Sequence, residues 1–524
     1  MATAPESAPS HKFRLWFALG LFGLFVVGAV ASTRPGITWD EPGYVTAGYS
    51  YCLWFNGLSP DSFTRSAIDA RWQINSEHPP AAKLLYGLAG ALEGGRGLLA
   101  MLTARLWAAL MFAALAGLVY GFTAAQFGRL SGVLAALSLV LMPRVFGHGH
   151  LAALDVPVAL ACLAATWAFC RPAVFAATRG GRLRAAAAGV VWGVALLTKL
   201  NAAFLPAILI PWAGWVYRKR AVLPCVILIG VGGLTFVAGW PWLWHDTAAR
   251  IGRYTVNKTE RLTDGDRAGG TTNVPVHYFG RTYRERRAPW HYPLVMTLVT
   301  VPLGLLVFSG IGIRKALARG RHRGIGALIL ASASVHLLVF VLPGVPKYDG
   351  VRLFMPAFPF LACLAGIGAA QVWTWWGRAG RAAVLGVLTV TAVVLYATHP
   401  YELSYYNVLV GGAGGARRLG LETTYWGDTV HPGVIAHVNR YCRGKKVAVW
   451  PRYLPMLERF PWMSKEVTWV HDWQAGRPDA DYLIVFPRQS YLDAYTTELM
   501  RNRTPLRQWT YLGVPQCLLF ELTR

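Results

Sequence analysis

The chain has 524 residues, of which 54% are hydrophobic and only 15% are charged, and this balance excludes an ordinary soluble globular protein. A net charge of +26 could indicate nucleic-acid binding, but Lys and Arg occur mostly in short runs between apolar segments. Positive residues in those positions orient membrane helices and contact lipid headgroups. The sequence therefore predicts a polytopic membrane protein with no nucleic-acid partner.

Apolar segments of spanning length recur along the sequence as far as residue 397. The criterion of ~20 apolar residues per span predicts about eleven membrane helices, at 15–31, 98–121, 123–142, 152–170, 183–200, 202–217, 221–240, 292–313, 324–343, 351–372 and 380–397. Ala29-Val30-Ala31 also resembles a signal-peptidase site, so a cleaved signal peptide is an alternative for the first segment.

With the amino terminus in the cytoplasm, the short loops rich in Lys and Arg face inward, as the positive-inside rule requires. The outward-facing regions are then a first loop (32–97), a short His-rich turn before Asp155, a second long loop (241–291) and everything after Thr398.

After Thr398 the composition changes from membrane-like to mixed. Short buried strands are predicted at 446–450, 482–486, 508–512 and 516–520, and a helix at 430–441. We therefore predict a membrane domain (1–398) followed by a small extracytoplasmic α/β domain (399–524). The seven cysteines include no CxxC pair, which argues against a metal ribbon or a disulfide framework, although Cys442 and Cys517 could pair outside the membrane.

Two adjacent carboxylates, Asp40 and Glu41, follow the first apolar segment. A carboxylate in a low-dielectric, partly enclosed setting has a raised pKa and can take a proton from an attacking hydroxyl. The alternative is that both are solvated loop acids before a proline turn.

The first outer loop also contains Glu77-His78-Pro79-Pro80-Ala81-Ala82-Lys83. Proline at a helix start predicts a helix from residue 81 and puts Lys83 in its first turn. There its ammonium group could contact a phosphate as a point charge. Alternatively, Lys83 extends along the interface to lipid headgroups.

Asp155 opens a later span, just after His148-Gly149-His150. An acid at the mouth of a membrane helix is costly unless it is paired or faces a wet cavity, so Asp155 is a candidate functional residue. His148 and His150 with Asp155 and Asp40 could hold a divalent cation, although their spacing matches no known metal cage.

Further cations lie at the same predicted membrane depth as Lys83. Lys199 ends one span, and Arg352, four residues after Tyr348, lies at the outer start of another. Together they could form a phosphate-binding rim. The alternative is that each residue anchors only its own helix end.

In order along the chain, these motifs resemble glycosyltransferase family 39, which includes the protein O-mannosyltransferases and the bacterial aminoarabinose transferases of lipid A. The resemblance is carried by the Asp-Glu pair, His-Pro-Pro-x-x-Lys, Asp-x-Pro, Thr-Lys and a final motif of Tyr348, Arg352, Pro356, Ala357 and Pro359. This sequence departs from the family in the spacing of Tyr348 and Arg352, and it lacks the β-trefoil insert of the eukaryotic members. The stretch from His399 to Asn407 and Tyr425-Trp426-Gly427 resemble segments of bacterial members that have no assigned role.

The resemblance implies an all-α polytopic membrane fold of the GT-C type and a polyprenyl-phosphate sugar donor. It implies that Asp40 is the base of an inverting transfer, that Glu41 orients the acceptor or the loop, and that Asp155 is a second acid. The donor phosphate is expected to meet Lys83, Arg352, Tyr348 and Lys199, with His78, His148 and His150 as further candidates. A divalent cation stays open, because members of the family differ in requiring one.

The acceptor implied by the resemblance is a lipid, glycan or protein hydroxyl. The predicted site lies on the periplasmic side of a bacterial inner membrane. Two alternatives come from other classes of protein. A flippase of lipid-linked saccharides would need midplane acids or broken helices in paired halves, which the sequence does not indicate. A non-catalytic glycan-binding membrane protein would leave Asp40, Lys83, Asp155 and Arg352 scattered.

Overall fold

A computed structural model describes residues 11–93, 98–260, 274–284, 287–320, 322–451, 463–470 and 476–522. Up to residue 398 these residues are almost entirely helical. The helices are α1 (His11–Ala31), α2 (Glu41–Trp54), α3 (Arg65–Trp72), α4 (Ala81–Glu93), α5 (Leu98–Phe127), α6 (Arg129–Val140), α7 (Pro143–Gly149), α8 (Asp155–Phe169), α9 (Arg179–Leu196), α10 (Leu205–Tyr217), α11 (Val222–Ala238), α12 (Thr247–Glu260), α13 (Tyr292–Thr300), α14 (Leu303–Leu317), α15 (Arg323–Leu338), α16 (Phe358–Trp375) and α17 (Gly377–Thr398).

The protein is a multi-span membrane protein, but its span count differs from the prediction. Within the described residues, five helical stretches are long and apolar enough to cross a membrane, and up to seven if each of two bent pairs is one span. The predicted count of about eleven is higher, because it also includes shorter apolar helices and takes the two helices within Leu200–Ala238 as separate spans. The five are Leu99–Phe127, Leu200–Ala238, Arg323–Val341, Arg352–Trp375 and Gly377–Thr398.

The lower count has a physical cause in the chain. Two predicted spans are bent pairs: α6 and α7 meet at 77° where Pro143 starts α7, and α13 and α14 meet at 114° before Pro302-Leu303. Proline lacks the N–H that would continue a helical ladder, so helices break or restart there. The apolar part of α1, Leu15–Ala31, and the helix Asp155–Phe169 are also shorter than 18 residues.

Glycine contacts set how closely α2 and α4 approach each other. A Cβ placed on Gly48 would lie 1.8 Å from the Lys83 carbonyl oxygen, and one on Gly87 would lie 1.9 Å from the Gly48 carbonyl carbon. Only glycine permits this backbone contact. The crossing holds the helix that begins at Glu41 against the helix that contains Lys83.

The carboxy-terminal region carries α18 (Gly412–Arg418), α19 (Pro432–Tyr441) and α20 (Ala494–Asn502), with β3 (Lys446–Trp450), β4 (Thr468–Trp469), β5 (Tyr482–Val485), β6 (Arg507–Tyr511) and β7 (Val514–Glu521). A separate hairpin, β1 (Val276–Tyr278) and β2 (Arg281–Tyr283), lies in the second long loop. The five-stranded sheet has the order β4-β3-β5-β7-β6, with β4 and β5 parallel to β3 and the remaining pairs antiparallel.

Four predicted strands and one predicted helix in this region are confirmed to within a few residues, because each is a short apolar run between turn residues. Strand β4 was not predicted, since it has only two residues. Cys442 and Cys517 are both buried and free in the part of the chain that the structure describes, so the disulfide considered for them does not form.

The sheet region and the first loop (32–97) share one apolar core. Ile37 and Tyr44 from the first loop pack in the same cluster as Val434 and Ile435 of α19. The division of the chain at residue 398 remains a prediction, and this shared core holds the two regions together around the residues described next.

Candidate active site

Asp40 lies at the turn that starts α2. It is the N-cap residue of that helix, and Pro42 in the first turn has the backbone angle that a helix start requires. Two backbone hydrogen bonds connect the loop before Asp40 to the carboxy-terminal region. The Gly36 N–H donates to the Asp428 carbonyl (2.7 Å), and the Trp39 N–H donates to the Trp426 carbonyl (3.0 Å). The position of Asp40 thus depends on both regions.

Glu41 points away from Asp40 into a closed ion pair with Arg105 of α5. The two nitrogens Nε and Nη2 of Arg105 donate to the two oxygens of Glu41 at 2.8 and 2.7 Å. The backbone N–H groups of Thr38 and Ala152 donate to the same carboxylate, each at 2.8 Å. Burial works to raise the pKa of Glu41, but Arg105 and these hydrogen bonds outweigh it and hold that pKa below its usual value.

Through these contacts Glu41 holds the loop before α2 in place. Arg105 also stabilises this loop, because it donates hydrogen bonds to the carbonyls of Ser32, Pro35 and Gly36. Sequence reasoning missed Arg105, although an arginine inside a predicted span was a usable signal.

Arg352 is the centre of the candidate site. Its Nη2 pairs with Asp40, its Nε with Asp155 Oδ2 at 3.2 Å and its Nη1 with Asp349 Oδ2 at 3.0 Å. The guanidinium carbon lies 3.8 Å from the centre of the Trp426 ring, in a cation–π contact. Residues separated by more than 300 positions therefore meet at one guanidinium.

Second cations neutralise two of these three carboxylates. Lys199 Nζ lies 2.5 Å from Asp155 Oδ1, and Arg488 Nη2 lies 2.8 Å from Asp349 Oδ1. Arg488 is in turn within 3.4 Å of the buried Glu422. Sequence reasoning missed Asp349, Arg488 and Glu422, because nothing local to a carboxy-terminal arginine indicates that it reaches the membrane region.

Asp40 is the most accessible carboxylate of the cluster. Its side chain is 26% exposed, against 1% for Asp155 and 6% for Asp349. The Tyr44 hydroxyl donates to Asp40 Oδ2 at 3.3 Å. Burial raises the pKa of Asp40 above its usual value, against the opposing charge of Arg352. Asp40 can therefore meet a substrate hydroxyl, and its raised pKa suits it to accept a proton.

Lys83 is buried inside the first loop. Its ammonium group donates to the Asn75 carbonyl (2.8 Å), the Asn75 side-chain oxygen (3.2 Å), the His78 carbonyl (2.6 Å) and the Tyr51 hydroxyl (3.1 Å). The ring of His78 packs edge-on against Tyr44, whose hydroxyl contacts Asp40. Lys83 and His78 thus support the wall behind Asp40, and a direct phosphate contact by Lys83 stays a prediction.

The two histidines of the His-Gly-His turn are buried beside the cluster. In the part of the chain that the structure describes, His148 Nδ1 and both ring nitrogens of His150 have no hydrogen-bond partner. His148 lines a cavity of about 10 Å3, room for roughly one water molecule, with Arg144, Asp349, Leu403, Tyr425 and Trp426.

The possible cation site made of Asp40, Asp155, His148 and His150 does not form. No group of three or more His, Cys, Asp or Glu side chains in the described ranges could hold a metal ion. The reason is local: both oxygens of Asp155 already contact cations.

Tyr348 is half-buried, packs against the membrane core and directly precedes Asp349. Its role at the donor phosphate stays a prediction. Asp349 and Gly350 both have positive φ angles (53° and 65°), so the chain turns sharply there before Arg352.

Residues 77–245 match the family described as dolichyl-phosphate-mannose-protein mannosyltransferase. The matched stretch contains Lys83, Asp155 and Lys199, whereas Asp40 and Arg352 lie outside it and are brought to it by the fold. A comparison with curated proteins gave no match to the sequence.

Solved structures share the fold across nearly the whole chain. ArnT from Cupriavidus metallidurans bound to undecaprenyl phosphate is 16% identical, with a TM-score of 0.51 and 98% of each chain covered. Its apo state is 15% identical, with a TM-score of 0.51 and 97% of each chain covered. The S. cerevisiae protein O-mannosyltransferase Pmt1-Pmt2 complex bound to the sugar donor is 11% identical, with a TM-score of 0.50, and covers 76% of this chain and 91% of that chain.

The fold of these enzymes is the GT-C fold, so the fold predicted from the sequence is confirmed, and so is the resemblance to glycosyltransferase family 39. The chain is thus similar to membrane glycosyltransferases in its fold and over residues 77–245.

Proposed function

We propose that the protein is an inverting glycosyltransferase that moves a sugar from a polyprenyl-phosphate donor to an acceptor hydroxyl at the outer face of the membrane. The observation that carries this proposal is the convergence on Arg352 of Asp40 and Asp155. This convergence places an accessible carboxylate beside buried cations. The transfer needs both, because the carboxylate can accept the proton of the acceptor hydroxyl and the cations can stabilise the leaving phosphate.

In the proposed reaction, the Asp40 carboxylate accepts the proton of the acceptor hydroxyl as its oxygen attacks the anomeric carbon. The new carbon–oxygen bond forms on the face opposite the phosphate, so the configuration inverts. The bond from the anomeric carbon to the phosphate oxygen breaks, and its electron pair stays on the lipid phosphate. The proton ends on Asp40, and a polyprenyl phosphate leaves.

A departing phosphate gains negative charge in the transition state, so fixed positive charge beside it lowers the barrier. Arg352 supplies a planar fork of donors, and Lys199 supplies a second charge that Asp155 holds at 2.5 Å. In this scheme Asp155 orients both cations and does not itself exchange protons with the acceptor. Lys83 and Tyr348 are proposed to complete the phosphate site.

Two relatives support a lipid-phosphate donor, since ArnT is described with undecaprenyl phosphate and Pmt1-Pmt2 with the sugar donor. The positive-inside arrangement of the Lys and Arg loops supports a site on the extracytoplasmic side. We propose a bacterial inner membrane as its location and a lipid, glycan or protein hydroxyl as its acceptor.

The test is sugar transfer from a panel of synthetic polyprenyl-phosphate sugars by the purified chain and by Asp40→Asn. Asparagine keeps the side-chain size but cannot accept the proton, so we expect the rate to fall by about 10²–10⁴-fold. Asp61→Asn is the matched control, because Asp61 is an exposed acid of the same loop, and it should keep full activity.

Equal turnover by Asp40→Asn and the unaltered chain would remove Asp40 from the mechanism. Failure of every donor, with transbilayer movement of a lipid-linked sugar by the reconstituted protein, would instead support the flippase alternative.

A further inference from the structure

Every nitrogen of the Arg352 guanidinium is already paired with a carboxylate. Asp155 lies on Nε, Asp349 on Nη1 and Asp40 on Nη2. An arginine binds phosphate best through two neighbouring nitrogens at once. Asp40, Asp155 and Asp349 thus engage three of its five N–H groups, and a donor phosphate that binds through one of the same nitrogens competes with the carboxylate already there.

The three carboxylates differ in how firmly they are held. Asp155 also pairs with Lys199, and Asp349 also pairs with Arg488, and the side chains of both acids are at most 6% exposed. Asp40 has the weaker second contact, a 3.3 Å hydrogen bond from the Tyr44 hydroxyl, and a partly exposed side chain. Leaving a buried charge unpaired is costly, so Asp40 is the carboxylate that can leave at the lowest cost.

We propose that donor binding is an ion-pair exchange, in which the donor phosphate replaces the Asp40 carboxylate at Arg352 Nη2. This inference rests on the proposed function. The exchange releases Asp40 to accept a hydrogen bond from the acceptor hydroxyl. Without donor, the Asp40 carboxylate is paired with Arg352 and is not free to accept a proton. It becomes available only after the donor, with the sugar to be transferred, is bound.

Arg488 and Trp426 are positioning residues for this exchange. Arg488 shares Asp349 with Arg352 and so limits how strongly Asp349 pulls on the guanidinium. The Trp426 ring covers the face of the same guanidinium at 3.8 Å. Both residues follow residue 398, which gives the carboxy-terminal region a part in donor binding.

The exchange makes a prediction with opposite signs for two variants. We would measure equilibrium binding of labelled undecaprenyl phosphate to the detergent-purified full chain. Asp40→Asn removes the competing charge and should tighten binding by about 10-fold, whereas Arg488→Gln leaves Asp349 to compete for Arg352 and should weaken it by about 10-fold. Arg488→Lys keeps the charge and should restore part of the affinity.

Two exposed residues serve as controls. Asp61→Asn removes an acid of the first loop, and Arg443→Gln removes an arginine whose pair with Glu466 is largely solvent-exposed. Both should bind the probe as the unaltered chain does. Because Arg488→Gln could fail to fold, the Asp40→Asn result decides by itself: unchanged or weaker binding overturns the exchange.

The outcomes separate this inference from the proposed function. Sugar transfer by the unaltered chain, with no tightening in Asp40→Asn, would leave the transferase intact and overturn the exchange. If Asp40→Asn bound the probe more tightly while the unaltered chain transferred no sugar from any donor, the result would support the exchange at a phosphate site and count against the transferase. No binding by either protein would overturn the exchange.

Discussion

Asp40 and Glu41 are neighbours in the sequence, yet they belong to two buried ion clusters of different character. The Glu41–Arg105 cluster is closed: its side chains are at most 1% exposed, and both carboxylate oxygens have two donors. The Arg352 cluster is open at one corner, where Asp40 is 26% exposed. A closed cluster holds a loop in place, whereas an open one leaves a charge that a substrate can reach.

The start of α2 creates this division. Asp40 is the N-cap residue and Glu41 the first helical residue, so their side chains leave the backbone in different directions. One rotates toward Arg352 and the other toward α5 and Arg105. Two adjacent acids can therefore have different roles: one faces the candidate site, and the other holds the loop that positions it.

The largest effect should come from breaking the closed cluster. Glu41→Gln leaves Arg105 buried without its counter-charge, and we expect a loss of about 3–5 kcal/mol in the free energy of unfolding, with activity lost as the loop loosens. Thermal unfolding in detergent measures the loss.

Glu466→Gln is the matched control, because the Glu466–Arg443 pair lies on the surface and should contribute about 0–1 kcal/mol. Equal stability of the two variants would mean that the Glu41–Arg105 cluster does not hold the loop.

A smaller but more specific effect is expected at the open cluster. Arg352→Lys keeps one positive charge but cannot reach three carboxylates and a phosphate with a planar fork. We expect kcat/KM for the donor to fall by about 100-fold, a change of roughly 3 kcal/mol in transition-state binding.

The unfolding temperature of Arg352→Lys should fall less than that of Glu41→Gln. If both variants lost stability to the same degree, the distinction between an open and a closed cluster would fail.

A pH-dependent effect concerns another buried acid, Asp428, whose backbone carbonyl accepts from Gly36 in the Asp40 loop. Burial first, and the nearby charge of Glu402 second, raise the pKa of Asp428 to about 7. A carboxyl whose pKa is raised on folding binds more protons in the folded state than in the unfolded one between its two pKa values. Stability should therefore fall as pH rises from about 4 to 7.

Asp428→Asn cannot ionise and should flatten that decline, so that the variant unfolds at a higher temperature than the unaltered chain at pH 8 and at a similar temperature at pH 4.5. Unfolding curves at the two pH values test this. A decline of the same size in both proteins would show that Asp428 does not cause it.

The candidate site was partly predictable. Asp40 was identified as one of two adjacent carboxylates suited to take a proton, Asp155 as a costly acid at the mouth of a membrane helix, and Lys199 and Arg352 as cations at outer helix ends. Their roles are still predictions, but the structure brings these four together. Lys83 was identified from its place in the first turn of a helix, and its hydrogen bonds lie inside the first loop.

The sequence by itself determined the class of the protein: apolar segments with positive loops between them require a membrane, and the ordered motifs indicate the GT-C fold and its family. It also indicated four of the five strands of the carboxy-terminal sheet, since period and turn residues are local signals. Only the tertiary structure decided that Arg105 closes on Glu41, and that Trp426 and Arg488 reach Arg352. Those contacts join residues tens to hundreds of positions apart, and a buried ion pair depends on distance in space, which local sequence pattern does not contain.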